Sequence, residues 1–191
     1  QAVGNQITLV ANENVTCTIT NTNDAPSLTL IKVVDNGNTG GTATPANFTL
    51  TATGPTGFSG FGPTVNNGAS FDAGTYALSE SSVAGYSASS WVCTGTGSQT
   101  GSNITLGLGQ SATCTITNTA IAPTLTVNKV LVPANDSGLF NLQIDTVTAG
   151  SGANVRDGGT TGAVAVTVGQ HTVSETAGTN TTLSDYTSVI S

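Results

Sequence analysis

The chain has two lysines, Lys32 and Lys129, and they stand 97 residues apart. Each lies in a run that reads as a strand: Leu28-Thr29-Leu30-Ile31-Lys32-Val33-Val34 and Leu125-Thr126-Val127-Asn128-Lys129-Val130-Leu131. Side chains alternate between the two faces of a strand. Lys32 therefore shares a face with Leu28, Leu30 and Val34, and Lys129 with Leu125, Val127 and Leu131. An amine aimed at an apolar core is costly as an unpaired cation. Two of the three glutamates offer compensation at matching positions. In Tyr76-Ala77-Leu78-Ser79-Glu80 the carboxylate follows the face of Tyr76 and Leu78, and Val173-Ser174-Glu175 answers Leu78-Ser79-Glu80. Asn118 alternates with Cys114 and Ile116, as Asn21 does with Cys17 and Ile19. Three strands thus aim a Lys, a Glu and an Asn at one interior.

Two chemistries fit such a set. One is a buried Lys–Glu ion pair with Asn as hydrogen-bond partner, an arrangement that often stabilises no better than apolar residues of the same volume. The other is a reaction. Burial disfavours charged forms, so an inward amine can be neutral and an inward carboxyl protonated. A neutral amine beside a carboxamide can attack its carbonyl carbon. The acid polarises the carbonyl and shuttles protons, ammonia leaves, and a Lys–Asn isopeptide bond remains.

Three side chains from three distant strands need a β-fold to bring them together, and the sequence repeats that fold's elements. Cys17-Thr18-Ile19-Thr20-Asn21-Thr22 recurs as Cys114-Thr115-Ile116-Thr117-Asn118-Thr119, and Ala25-Pro26-Ser27-Leu28-Thr29-Leu30 as Ala122-Pro123-Thr124-Leu125-Thr126-Val127. Tyr86 answers Tyr186 with a small drift. A unit of about one hundred residues, with short strands and frequent turn signals, has the size of an immunoglobulin-like sandwich. The expected fold class is all-β, with tandem β-sandwich domains. Residues 1–24 read as the last strands of a preceding or neighbouring repeat, residues 25–121 as a complete repeat, and residues 122–191 as a second repeat without its last strands. Two accounts fit this frame: a window cut from a longer tandem array, or a subunit whose residues 1–24 complete a neighbour by donor-strand addition. The first is simpler, because Cys17 has no partner within its own unit. Pro26 and Pro123 fix φ in short connections and stiffen the joints. Absence of Met fits a processed or excised segment.

Composition supports strands and excludes several functions. The chain has 191 residues with 3 Lys or Arg against 10 Asp or Glu, and charged residues make up 7%, where globular domains have about 25%. No basic patch exists to neutralise phosphates, so nucleic acid is excluded as a partner. A polybasic membrane-surface segment is excluded likewise. No apolar run approaches the length of a membrane span, and no signal-peptide pattern opens the chain. Long solvated helices lack the Lys, Glu and Arg they need. Thr, Val and Ile suit a pleated surface, and the 24 Gly suit turns.

The order of a first-strand Lys32, then Tyr76-Ala77-Leu78-Ser79-Glu80 with Gly85-Tyr86, then Ile116-Thr117-Asn118 resembles the CnaB or SpaA-like prealbumin-fold repeat domains of bacterial surface adhesins and pili. The resemblance covers the complete unit and part of both flanks. It implies a β-sandwich stalk domain, often with an autocatalytic Lys–Asn cross-link. Carried across, Lys32 is the nucleophile, Asn118 the electrophile and Glu80 the assisting acid. Lys129 and Glu175 form an incomplete set needing an Asn from beyond Ser191, and Asn21 needs a Lys from before Gln1.

Cys93 and Cys114 fall in one unit and, in an exported Thr-rich chain, read as a disulfide. Two buried free thiols are the alternative. Cys17 is expected to pair with a cysteine outside the chain. His171, the only histidine, has no second ligand nearby and reads as a strand residue, and the first unit contains no histidine for a catalytic triad. Asp35, Asp72, Asp136 and Asp157 read as turn carboxylates rather than calcium ligands. Asn-x-Ser/Thr sequons at Asn14, Asn47, Asn103, Asn135 and Asn180 are weak signals in a chain so rich in Asn and Thr. No cofactor or metal is expected, and no turnover enzyme. The leading function is a structural repeat of an extracellular, secreted bacterial stalk, pilus or fibre. Its expected partners are adjacent copies or repeats of itself, head to tail. The alternative is an adhesin module binding glycan or host protein through its loops, with Phe58, Phe61, Tyr86 and Trp91 as candidates; Phe71, Tyr76 and Trp91 read more readily as core.

Overall fold

A computed structural model describes residues 2–191, with side chains from Gly4 onward. Two short strands, β1 (Ala2–Val3) and β2 (Gln6–Ile7), pair as a hairpin. Residues 8–26 then run without strands, almost entirely exposed.

Ten strands follow: β3 (Ser27–Asp35), β4 (Thr49–Thr53), β5 (Phe58–Phe61), β6 (Thr64–Asn66), β7 (Gly74–Glu80), β8 (Tyr86–Ala88), β9 (Val92–Gly95), β10 (Ser98–Thr100), β11 (Asn103–Leu106) and β12 (Ser111–Ala120). They form two five-stranded layers of a sandwich. One has the order β10-β11-β7-β4-β5; the other is β6-β3-β12, with β8 and β9 both along the far edge of β12. Alternation drives the layering. β3 buries Leu28, Leu30 and Lys32, with Val34 half-buried on the same face, and β12 buries Ala112, Cys114, Ile116, Asn118 and Ala120, while the alternate residues face outward. Leu50, Ala52, Tyr76, Leu78, Ile104 and Leu106 supply the opposing face, and Phe71 and Trp91 join the same core. The sequence-expected all-β sandwich is the observed architecture.

The first and last strands lie side by side and parallel at the centre of their layer, with Ile116 opposite Lys32 and Asn118 opposite Val34. Parallel strands need a long crossover. Here the crossover is the rest of the sandwich, and it brings residues 86 apart in sequence onto adjacent strands.

Residues 122–191 carry β13 (Thr124–Leu125), β14 (Phe140–Ile144), β15 (Val147–Thr148), β16 (Val164–Ala165) and β17 (Val173–Ala177). β14 lies between β15 and β17, and β13 pairs with β16. The sequence-expected strand over 125–131 is only partly regular: β13 ends at Leu125, and an isolated bridge joins Asn128 to Thr160. The reason is pairing. β3 is hydrogen-bonded along both edges, whereas residues 125–130 are bonded along one, through Val127 and Lys129 to residues 158–161.

Candidate cross-linking site

Lys32 points from the middle of β3 into the sandwich, and its side chain is 0% exposed. Its Nζ donates to Glu80 Oε2 at 2.7 Å and to Asn118 Oδ1 at 2.5 Å. The three groups come from three strands in two layers. Glu80 ends β7 opposite Leu50 of β4. Asn118 stands two residues beyond the cross-strand neighbour of Lys32, and so shares its face. The amine also lies 4.3 Å from the ring centroid of Phe48, a buried aromatic that offers its π-face to a cation. The edge of Tyr86 packs on Phe48, and the Tyr86 hydroxyl donates to Asn36 Oδ1 and accepts from the Ala43 N–H. Backbone is close as well: a Cβ on Gly62 would sit 2.6 Å from Pro45 O and 2.8 Å from Lys32 Cβ, so only glycine leaves room there.

The C-terminal segment assembles a near copy. Lys129 Nζ donates to Glu175 Oε2 at 2.6 Å and lies 3.9 Å from the Phe140 ring centroid. Phe140 meets Tyr186 edge-on, and the Tyr186 hydroxyl donates to Asp136. Among the described residues no asparagine joins this pair. Asn21 and Cys17 lie in the exposed N-terminal stretch, apart from both clusters.

The aromatic platforms were missed in the sequence, although a signal exists. Phe48-Thr49-Leu50 and Phe140-Asn141-Leu142 share Phe-x-Leu and occupy equivalent places before their glutamate strands. Their 92-residue offset departs from the 97 of the lysines and hides the match.

Cys93 and Cys114 are directly opposite on β9 and β12 and form a disulfide. Cys17 is free and exposed. The turn aspartates are engaged in local hydrogen bonds. Asp35 accepts from the Gly37 N–H, Asp136 from Gly138 and Asp157 from Leu131, while Asp72 accepts from the Thr56 hydroxyl. Backbone and tyrosine donation hold the Asp136 carboxyl below its ordinary value. His171 bridges Asp145 and the Thr167 carbonyl. Among the described residues no group of His, Cys, Asp and Glu has the arrangement of a metal site, and no helix is long and apolar enough to cross a membrane.

Residues 23–116 match the SpaA-type family described as a prealbumin-like fold domain. The N-terminal sandwich is a prealbumin-like fold domain. No curated protein and no solved structure matches the chain. Prealbumin-like domains of this type are structural modules, and in this chain the Lys32 cluster sits where the first and last strands of the domain are adjacent.

Proposed function

We propose that the chain is a load-bearing repeat of an extracellular surface stalk, pilus or fibre, locked internally by a Lys32–Asn118 isopeptide bond. One observation carries this reading: a buried Lys32 amine bonded to both Glu80 and Asn118, from the first, fifth and last strands of a prealbumin-like domain. A buried ion pair alone is a poor stabiliser relative to apolar packing, so the cluster's recurrence at Lys129 and Glu175 needs another reason. Reaction supplies one. A proton passing from Lys32 to Glu80 leaves an amine held against the Asn118 carboxamide. Nζ attacks Cγ, the protonated Glu80 gives its proton to the departing nitrogen, the Cγ–Nδ2 bond breaks and ammonia leaves, and Nζ passes its second proton to Glu80 as it becomes the amide nitrogen. The water-excluded interior stabilises the ordered reactants and protects the product.

Topology supports the stalk function. Parallel neighbouring strands at the two ends of the domain, once joined, carry tension directly between them. The repeat pattern at a 97-residue spacing supports head-to-tail succession of such units. The surface location rests on the family resemblance and on the disulfide, which persists in oxidising compartments. A loop-borne adhesin function has less support: Trp91 is buried, Phe58 packs on the core and the Tyr86 hydroxyl is engaged internally.

Intact mass spectrometry tests the reading. The folded chain is expected to be lighter by one ammonia for the Lys32–Asn118 bond, with peptide mapping joining those two residues. Glu80→Ala is expected to restore the full mass. Full mass in correctly folded wild-type protein rejects the cross-link.

A further inference from the structure

The peptide group between Thr167 and Val168 is bonded on both sides. Its carbonyl lies 2.7 Å from Nε2 of His171, and its N–H donates to the Thr39 carbonyl at 2.6 Å. Thr39 belongs to the loop that follows β3 in the N-terminal domain. Among the described residues, this is the one hydrogen bond that passes between residues 25–121 and residues 124–191. The approach is close there: a Cβ on Gly40, whose φ is +78°, would stand 3.0 Å from both the N and the O of Val168. The covalent connection is tied at its two ends as well, by Ile121 N–H to the Gly85 carbonyl and by Val166 N–H to the Pro123 carbonyl. A second attachment at Thr39 removes the rotation that the connection alone would allow. A cleft of about 600 Å³ lies at this joint, with Asn38 and Thr39 on one wall, and Asp145 and His171 are the ionisable groups that line it.

In the N-terminal domain the place of His171 is held by Tyr76. Each stands four residues before the glutamate of its cluster, and the strands pair alike, with Glu80 opposite Leu50 and Glu175 opposite Leu142. The Tyr76 hydroxyl donates to the Asp72 carbonyl, four residues back, as His171 reaches back to Thr167. Asp145 takes the place of Thr53 by the same register. One backbone bond is thus made by a hydroxyl in the first case and by an imidazole in the second, and histidine is the side chain whose charge ordinarily changes between about pH 5 and 8. Both partners of this imidazole are acceptors. Asp145 Oδ2 lies 2.7 Å from Nδ1, while its Oδ1 accepts from the Thr172 N–H. The Thr167 carbonyl can only accept. A neutral imidazole has one N–H and cannot serve both, whereas the imidazolium has two. Loss of its proton turns a ring lone pair toward one of the two oxygens.

We infer that His171 is a pH-operated latch on the joint between the N-terminal domain and the C-terminal segment: as the imidazolium it fixes the Thr167–Val168 peptide that docks on Thr39, and on losing its proton it lets the segment swing about residues 121–123. A charged donor on the carbonyl also polarises the peptide, which makes the N–H on its other side a stronger donor to Thr39. Asp145 is the charged partner that faces the ring. Asp35, at the root of the Thr39 loop, accepts from the Gly37 N–H, and Glu175, further along the run from His171, is paired with Lys129. Residues 120–123, 147–149 and 164–170 carry no ionisable side chain. The Thr167 carbonyl and then Asp145 hold the histidine above its ordinary 6.5, and Asp145 is held below 3.8, so the carboxylate stays ionised where the ring titrates. A raised histidine contributes in full below its unfolded value and loses that contribution as pH rises through the folded one. The joint is therefore fixed in acid and released in alkali. Neither Lys32 nor Lys129 takes part, so the latch stands or falls apart from the cross-link.

NMR on the full 191-residue chain across a pH series gives the test. Below the midpoint of the imidazole, one alignment tensor is expected to fit the residual dipolar couplings of residues 27–120 and 124–177 together. Above it, two tensors are expected. The protection factor of the Val168 amide, corrected for the intrinsic exchange rate, is expected to fall roughly tenfold with the same midpoint as the ring. His171→Tyr, which installs the residue of the N-terminal domain, should keep one tensor at every pH. Asp145→Asn should carry both transitions to lower pH. Gly40→Val should give two tensors at every pH while the imidazole still titrates. A single tensor with constant Val168 protection across the histidine titration overturns the inference, as do two tensors at every pH in the wild type. A transition that persists in His171→Tyr overturns it too, and one that stays in place in Asp145→Asn removes the carboxylate from the latch and with it the inference.

Discussion

Glu80 and Asn118 meet the Lys32 amine from opposite layers of the sandwich, so a single side chain bonds across the core. Its rarity made it legible: with two lysines in the chain, a 97-residue register and an apolar face were enough to single them out. Phe48 escaped because a phenylalanine among core residues carries no mark of chemistry until the amine is seen over its ring. His171 also gained a role only in three dimensions. The Thr167 carbonyl, then the Asp145 carboxylate, raise its pKa above the ordinary 6.5, while the Thr172 N–H and then His171 lower that of Asp145 below 3.8. A raised histidine contributes stability in full below its unfolded value and loses it as pH rises through the folded one. A lowered aspartate contributes above its unfolded value and loses it as pH falls through the folded one. The pair is thus expected to stabilise most between about pH 3.8 and 6.5. An NMR titration of the imidazole should place its midpoint above 6.5, and Asp145→Asn should lower it. A wild-type midpoint at or below 6.5 rejects the pairing.

At the scale of elements, strand alternation made β3, β7 and β12 readable, since each buries every second residue. The parallel pairing of β3 with β12 was not readable, because alternation fixes faces and says nothing of neighbours. Nor was the shortening of the Lys129 strand, which follows from bonding along one edge only. The Cys93–Cys114 disulfide ties β9 to the strand that carries Asn118. It closes a loop of 21 residues, worth about 3 kcal/mol in the chain-entropy treatment. Replacing both cysteines by alanine is expected to lower the unfolding free energy of the domain by that order in denaturant titrations. An unchanged midpoint would show that the bridge adds no constraint beyond the β-ladder already present.

For the whole molecule, the proposed Lys32–Asn118 bond would span a separation of 86 residues and would act on the mechanics of the domain. Once bonded, the loop-entropy contribution is roughly 4.5 kcal/mol by analogy with a disulfide. Force matters more than equilibrium stability here. Pulling on the chain ends loads two adjacent strands, and the bond prevents the intervening chain from paying out. Single-molecule stretching of the wild type is expected to lack the unfolding step of this domain. Glu80→Ala should restore a step of roughly 220 Å, the extended length of the residues between Lys32 and Asn118 that lie outside the loop closed by the Cys93–Cys114 disulfide. A wild-type trace with that step rejects the load-bearing role.

By itself the sequence determined the all-β class, the inward Lys, Glu and Asn, and the recurrence of one strand pattern at Cys17–Thr22 and Cys114–Thr119. These are local properties, written in alternation and in the scarcity of charge. The tertiary structure decided which of the recurring parts meet. It joined Lys32 to Asn118 through parallel first and last strands. It left Asn21 exposed and Glu175 with an unpaired oxygen. Contact between residues far apart in the chain depends on strand order and on which edges are already bonded, and neither is encoded in any single stretch of residues.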